Sequence, residues 1–231
     1  MRLYIIRHGD PDYKNDCLTE AGKREAAALG DFIHHYKIDR LYSSPCGRAQ
    51  ETARFIAAKT GHEIRTLQWT REIVELRDNV VKMMYWDAHG HDIRTDAYLR
   101  SPNDWSIAKP FAGVDMHAIV DPIYEAGDAF LATLGYERED HVYRVRERNE
   151  LGIAIACHGG FGLTWMAHLL AIPLPLMWAG FVMHTTSVST IVFDERTPGI
   201  ACPRLLGLGE IGHLHAAGVT PGRGGIKANY Y

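Results

Sequence analysis

The stretch MRLYIIRHG, residues 1–9, is an apolar run that stops abruptly in a cation, an imidazole and a glycine. Residues 2–7 read as an interior strand of a parallel sheet, where burial on both faces replaces alternation with a near-continuous apolar run. Packing gives no reason for Arg7, His8 and Gly9 at its tip. A permanent positive charge beside an imidazole there suits an anion, phosphate above all.

Outward from this strand, GDPDYKND (9–16) has turn chemistry throughout. Thr19 is placed to cap a helix in which Ala21, Ala28, Leu29, Phe32 and Ile33 recur at helical spacing to about Tyr36. IDRLYSS (38–44) reads as a second strand, and residues 44–61 contain a second helix stopped by Gly61. Glu63–Leu67 is a candidate third strand. Strand and helix alternating at this spacing predict βαβ units with right-handed crossovers.

From about 75 to 113 the periodicity lapses into aromatics, histidines and turn formers, over a span too long for a bare loop in a compact core. We expect this insertion to lie as a cap over the active edge. A helix returns at Met116–Leu134, with Ile119, Ile123, Ala126, Phe130 and Leu134 on one face. HVYRVRE (141–147) alternates as an edge strand does. LGIAIAC (151–157) is a buried strand ending in His158, Gly159 and Gly160, followed by a helix carrying Leu163, Met166, Ala167 and Leu170. Ser187–Phe193 and Arg204–Leu208 complete the sheet, and residues 219–231 form a tail that is loose or docks on a partner. The expected architecture is one α/β domain over residues 1–231. It has a mostly parallel central sheet with helices on both faces in three layers, and the cap insertion lies over the C-terminal edge of the strands.

Composition narrows the function. The 231 residues carry a formal net charge of −3, which gives no electrostatic case for nucleic acid or an anionic membrane. Cys17, Cys46, Cys157 and Cys202 lie far apart without C-x-x-C spacing, so reduced thiols in a cytoplasm are expected rather than a disulfide framework or zinc site. The strand pattern at the N-terminus leaves no signal-peptide architecture. Residues 159–193 contain no Asp, Glu, Lys or Arg. Pro173, Pro175, His168, His184 and the run Thr185–Thr190 nevertheless argue for a buried helix and a central strand rather than a membrane span. His89-Gly90-His91 offers too few ligands for a metal, and no cofactor is expected.

Three clusters share one position, just past the C-terminal end of a predicted strand, where open α/β sheets bind ligands. They are Arg7-His8-Gly9, Ser43-Ser44-Pro45 followed by Arg48, and His158-Gly159-Gly160. Taken singly, each histidine reads as a satisfied turn residue and Arg48 as a solvated helix start. Their recurrence in three βα units makes that improbable. Phosphoryl transfer asks the protein mainly for positioning and for charge on the equatorial oxygens. Arg7 and Arg48 fork onto phosphate oxygens, one histidine attacks as a neutral imidazole, and the other donates to the group. A leaving alkoxide needs an acid. Glu72, in WTREIVELRD (69–78), is the first choice, with Glu75 one helical turn away as the fallback.

RHG at 7–9, LTEAG at 18–22, SSPCGRAQET at 43–52, TREI at 70–73 and ACHGG at 156–160 together resemble the histidine phosphatase superfamily, which includes the cofactor-dependent phosphoglycerate mutases. The resemblance covers most of the chain apart from the cap and tail, and GHLHAAG at 212–218 looks like a C-terminal element of the same family. It implies that His8 becomes phosphorylated, that Arg7, Arg48, His158 and Gly159 bind the phosphate, and that Glu72 is the proton donor. The sequence departs from the family pattern in two places. Asp10-Pro11 follow the glycine, and Lys14 stands six residues after the histidine where the family has Asn, with Asn15 one place late. Gly113-Val114-Asp115 replaces a Gly-Glu-Ser segment. The resulting expectation is a phosphoric monoester hydrolase acting on a small phosphorylated metabolite. The alternatives are a phosphoglycerate-type mutase and a phospholigand-binding protein without turnover, and a homodimer stays open.

Overall fold

The computed structural model describes residues 1–73, 75–77, 80–87, 90–97, 101 and 104–222, with the backbone alone at 75–77 and 80–83. In chain order the elements begin β1 Arg2–Arg7, β2 Pro11–Asp12, β3 Cys17–Leu18, α1 Glu20–Phe32, β4 Arg40–Ser43, α2 Gly47–Thr60 and β5 Ile64–Thr66. The middle holds β6 Glu75–Arg77, β7 Val80–Met83, α3 Gly90–Thr95 and α4 Met116–Ala132. Then follow β8 Tyr136–Glu139, β9 Val142–Val145, β10 Gly152–Cys157, α5 Gly159–Leu170, α6 Leu174–Gly180, β11 Val188–Thr197, β12 Ile200–Glu210 and α7 Gly212–Ala216.

The main sheet runs β5-β4-β10-β1-β11-β12-β9-β8. Its first four strands pair in parallel, and from β1 onward every pairing is antiparallel. The expected α/β fold is present, with a parallel heart inside a mixed sheet. The two faces of the central strands feed two cores, because successive side chains alternate across a strand. Leu3, Ile5, Ile153 and Ile155 pack toward Phe130 of α4 and Trp165 of α5. Tyr4, Ile6, Leu41 and Ala154 pack with Leu29 of α1 and Ile56 of α2. This is the three-layer arrangement.

Local chemistry sets the helix ends as expected. Thr19 caps α1 by accepting from the Gly22 amide at 3.0 Å, and Gly61 ends α2 in the left-handed region at φ 72°. The charge-free stretch resolves into α5, α6 and the first half of β11, and α5 is buried along almost its whole length because it lies between the sheet and α4. Among the described residues no helix is long and apolar enough to cross a membrane.

Two sequence expectations need correction. Residues 141–147 are not the edge strand. A hairpin with Asp140 at φ 52° puts β8 at the edge and β9 beside it, and the charge-rich β8 masks its own strand signal. On α4 the inward stripe is Met116, Val120, Ile123, Gly127, Phe130 and Leu131, so Ile119 and Ala126 sit at its margin. Gly127 belongs there because a β-carbon at that position would run into the Trp165 indole. Within 75–113, Tyr85, Trp105, Phe111 and Trp178 of α6 form edge-on aromatic contacts at 5.6–6.3 Å, which seat this segment on the body. Of the tail, residues 223–231 lie outside the described residues.

Two glycines test this account. A β-carbon on Gly22 would collide with the Asp10 carbonyl oxygen, whereas Gly61 has open space around it and only its positive φ to lose. Gly22→Ala should cost about 1–3 kcal/mol and disturb the His8 loop. Gly61→Ala should cost about 1 kcal/mol with activity unchanged. Urea unfolding and a phosphatase assay on both variants check this.

Candidate active site

Register assembles the site. Arg7 of β1 stands opposite Cys157 of β10, and Ala156 stands opposite Ser43 of β4, so the three parallel strands end together. The residues that follow, His8, His158 and Ser44, therefore meet at one edge. Gly159 opens α5 against the Arg7 side chain, and Arg48 enters from the first turn of α2. Sequence reasoning singled out Arg7, His8, Ser44, Arg48, His158 and Gly159, and the structure brings them together.

His8 is 1% exposed, and its ring lies 5.2 Å from that of His158, nearly edge-on. Its Nδ1–H donates to the Gly9 carbonyl oxygen at 2.7 Å, and since a carbonyl only accepts, this fixes the proton on Nδ1. Nε2 is left as the unprotonated nitrogen. Burial first, then Arg7 and Arg48, lower the His8 pKa to about 3. His158, fully buried, is held well below the ordinary imidazole range by burial, His8 and Arg48. Its Nδ1 accepts from Arg48 Nη2 at 3.1 Å, so its proton is on Nε2, which donates to Ser44 Oγ at 2.8 Å. Both imidazoles are neutral, with defined tautomers.

The two guanidinium groups are nearly buried, at 7% exposure for Arg7 and 9% for Arg48. Arg7 Nη1 donates to the Met183 carbonyl at 2.5 Å. Arg48 is gripped at both ends, by His158 at Nη2 and by Asp16 at Nη1, where Oδ1 lies 2.5 Å away. The second Asp16 oxygen accepts from the Gly47 amide at 2.7 Å, tying the loop to the start of α2. Arg48 Nε is buried with no hydrogen-bond partner among the described residues, a donor placed for an incoming anion. Lys14 and Asn15 do not reach the pocket. They are exposed, and both their backbone amides donate to Asp12 Oδ1 at 3.0 and 3.2 Å. Where the family pattern has Asn, this loop supplies Asp16 to an arginine instead.

Glu72 arrives from outside the sheet and seats its carboxylate on the first turn of α5. Oε1 accepts from the Phe161 amide at 2.8 Å and the Ile73 amide at 3.0 Å, and Oε2 from the Gly160 amide at 3.2 Å. Burial raises its pKa, outweighing those three donors and Arg7. With both lone pairs of Oε1 engaged, the acid proton belongs on Oε2. The side chain of Glu75, the alternative acid, lies outside the described residues, as do His89 and the Met83 side chain. His91 and His117 are exposed, the latter bonded to Asp121 and Ser106.

Sequence reasoning missed the layer behind His8. Thr52 Oγ1 accepts the Gly9 amide at 3.1 Å and donates to the Arg48 carbonyl at 2.9 Å. Glu25, 2% exposed with its pKa raised by burial, accepts from the Asp10 amide at 2.9 Å and from Thr185 Oγ1 at 3.0 Å. Thr186 sits at φ 55°, a genuine outlier for a β-branched residue, and its amide donates to the His8 carbonyl at 3.2 Å. Its hydroxyl contacts His213 of the GHLHAAG segment at 2.9 Å. One signal was available: Glu25 and Thr52 are polar residues on the inward stripes of α1 and α2.

The arrangement matches known proteins. The family model for the histidine phosphatase superfamily (branch 1) matches residues 3–120. The adenosylcobalamin/alpha-ribazole phosphatase of Salmonella typhi is 25% identical over 191 residues, covering 77% of this chain and 84% of that protein. Its Escherichia coli (strain K12) counterpart is 26% identical over 191 residues. Among solved structures, phosphoserine phosphatase from Entamoeba histolytica in complex with 3-phosphoglyceric acid superposes with a TM-score of 0.62 at 19% identity, covering 92% of this chain and 98% of that one. Mycobacterial glucosyl-3-phosphoglycerate phosphatase complexed with VO3 gives 0.59 at 21% identity over 88% of this chain and 96% of that one. The chain belongs to the histidine phosphatase superfamily, branch 1.

Neutral buried histidines make stability acid-sensitive. Unfolded, His8 titrates near 6.5; folded, near 3, so its contribution is complete above 6.5 and is lost as pH falls toward 3. The raised carboxyls of Glu25 and Glu72 act with the opposite sign, so a variant must isolate the effect. His8→Gln should gain stability relative to wild type by about 1 kcal/mol per pH unit between about pH 6 and 4. Parallel stability curves in urea titrations across that range would refute it.

Proposed function

We propose that this chain is a phosphomonoesterase working through phosphohistidine at His8, with a small phosphorylated metabolite as substrate. The observation that carries the reading is the state of His8: neutral, with Nδ1–H committed to Gly9, and flanked by two guanidinium groups and a second imidazole. Nε2 attacks phosphorus as the bond to the substrate's ester oxygen breaks, and Glu72 Oε2 gives its proton to that oxygen. The alcohol leaves. Water then attacks phosphorus, Glu72 takes its proton, and phosphate departs with His8 restored.

Arg7 and Arg48 supply charge to the equatorial oxygens throughout, and their burial strengthens each contact by excluding water. A bound phosphate dianion opposes the like charges that depress the His158 pKa, which lets His158 take up a proton and donate to the phosphoryl group. Residues 75–113 act as the cap, and hydrolysis is favoured over mutase chemistry because the curated relatives are phosphatases by name.

Para-nitrophenyl phosphate should be hydrolysed, and His8→Ala should lower kcat by about 10³-fold or more. Binding of vanadate without turnover would favour a binding module. Glu72→Gln should slow alkyl esters by about 10²-fold more than aryl esters, because an alkoxide needs the proton and a nitrophenolate does not. With the His8 pKa at about 3, kcat/KM should show no acidic limb from this residue down to about pH 4. A steady-state pH series measures it.

A further inference from the structure

Trp86 departs from the packing of its neighbours. Tyr85 and Trp105 are buried in the aromatic group that seats the 75–113 segment on α6, whereas Trp86, in the 3-10 turn Tyr85–Asp87, is half-buried and reaches the first turn of α5. A β-carbon built on Gly160 would overlap the Trp86 ring edge, with the indole nitrogen 2.6 Å away and Glu72 Oε1 2.7 Å away. Indole and carboxylate therefore both pack against Gly160. The indole N–H is committed to the Ile73 carbonyl at 3.2 Å, and the Ile73 amide donates to Glu72 Oε1 at 3.0 Å. With its only donor spent there, the indole presents hydrocarbon to Glu72 and to whatever lies beside it.

We propose that Trp86 is the specificity-determining wall of the leaving-group side of this site, selecting phosphomonoesters of planar, largely apolar alcohols while keeping water off Glu72. The inference rests on the reading of Glu72 as the proton donor. The ester oxygen must approach Oε2, which accepts one amide and keeps a site for a proton, and the indole packed on Gly160 and bonded to Ile73 is the aromatic surface beside this carboxyl for a substituent on that oxygen. A planar group stacks there, whereas a small polyol gains nothing from it.

Water exclusion follows from the same contact. Among the described residues, Arg7 at the end of β1 and Cys157 at the end of β10 face Glu72. Arg71 precedes it in the chain, His158 follows Cys157, the first turn of α5 carries no titratable group, and Asp87 beside Trp86 is exposed. The nearest charge, Arg7, favours the carboxylate. Desolvation is what raises the Glu72 pKa, and the indole packed on Gly160 contributes apolar cover beside it.

The test compares 1-naphthyl phosphate with glycerol phosphate across pH for wild type, Trp86→Leu, Trp86→Ala and Glu72→Gln. Trp86→Leu keeps an apolar cover without a plane. It should raise KM for the naphthyl ester by about 10-fold, leave the glycerol ester within about 2-fold, and hold the basic limb of kcat/KM in place. Trp86→Ala should show the same KM split and move that limb roughly half to one unit toward lower pH, because a solvated Glu72 loses its proton earlier. An unchanged naphthyl-to-glycerol ratio in Trp86→Leu overturns the proposal, and that variant decides alone if Trp86→Ala does not fold. Glu72→Gln should abolish the basic limb. A limb that persists there refutes Glu72 as the acid, a failure separate from loss of the aryl preference.

Discussion

The parallel hydrogen-bond ladder joining β1, β10 and β4 is the constraint on which the site depends. It ends the three strands level, and the pairing of Arg7 with Cys157 obliges His8 and His158 to be neighbours. A slip of one residue in either strand would turn each inward side chain to the opposite core and separate the imidazoles. Side-chain fit opposes that slip, since Leu3, Ile5, Ile153 and Ile155 fill one core and the differently sized Tyr4, Ile6 and Ala154 the other. Packing deep in the protein thereby sets the geometry at its edge.

Electrostatics builds on that frame. Two guanidinium groups in a nearly dry pocket are costly unless countercharge or hydrogen bonds meet them. Asp16 meets one end of Arg48, the Met183 carbonyl meets Arg7, and both imidazoles stay neutral because burial opposes a proton on either and the same repulsion adds to it. The neutrality of His8 thus comes from its burial first and from the neighbouring guanidinium groups second. In the proposed reaction a negative charge arrives with the substrate and relieves the part of the His158 depression that comes from the neighbouring positive charges.

What could be read from the chain follows from which signals are local. Strand-tip residues were legible because an apolar run ending in Arg-His-Gly or His-Gly-Gly announces itself, and so were the Thr19 and Gly61 helix ends, where one side chain or one φ angle decides. The charged strand Tyr136–Glu139 was not, because an edge strand exposes the residues that would otherwise mark it as buried. Asp16, Glu25, Thr52 and Thr186 also escaped, since each acts through a partner 15 or more residues away, and a polar residue on an inward helix stripe marks Glu25 and Thr52 without naming that partner. Lys14 and Asn15 illustrate the same limit from the other side. The departure from the family pattern was visible, but that Asp12 gathers this turn while Asp16 takes Arg48 depends on the fold.

Glu72 shows why that second layer matters for chemistry. Three amides and an arginine act to lower its pKa, and against solvent they would leave it ionised. Burial reverses the balance, and on the proposal above Trp86 supplies part of that burial. On that reading two parts of the chain share Glu72: α5 supplies amides that hold the carboxylate in place, and the turn at Tyr85–Asp87 contributes to the burial that raises its pKa. On the same reading orientation and acidity come from separate elements, so the residues around Trp86 can change to suit a leaving group while the strand ends that carry Arg7, His8 and His158 stay as they are.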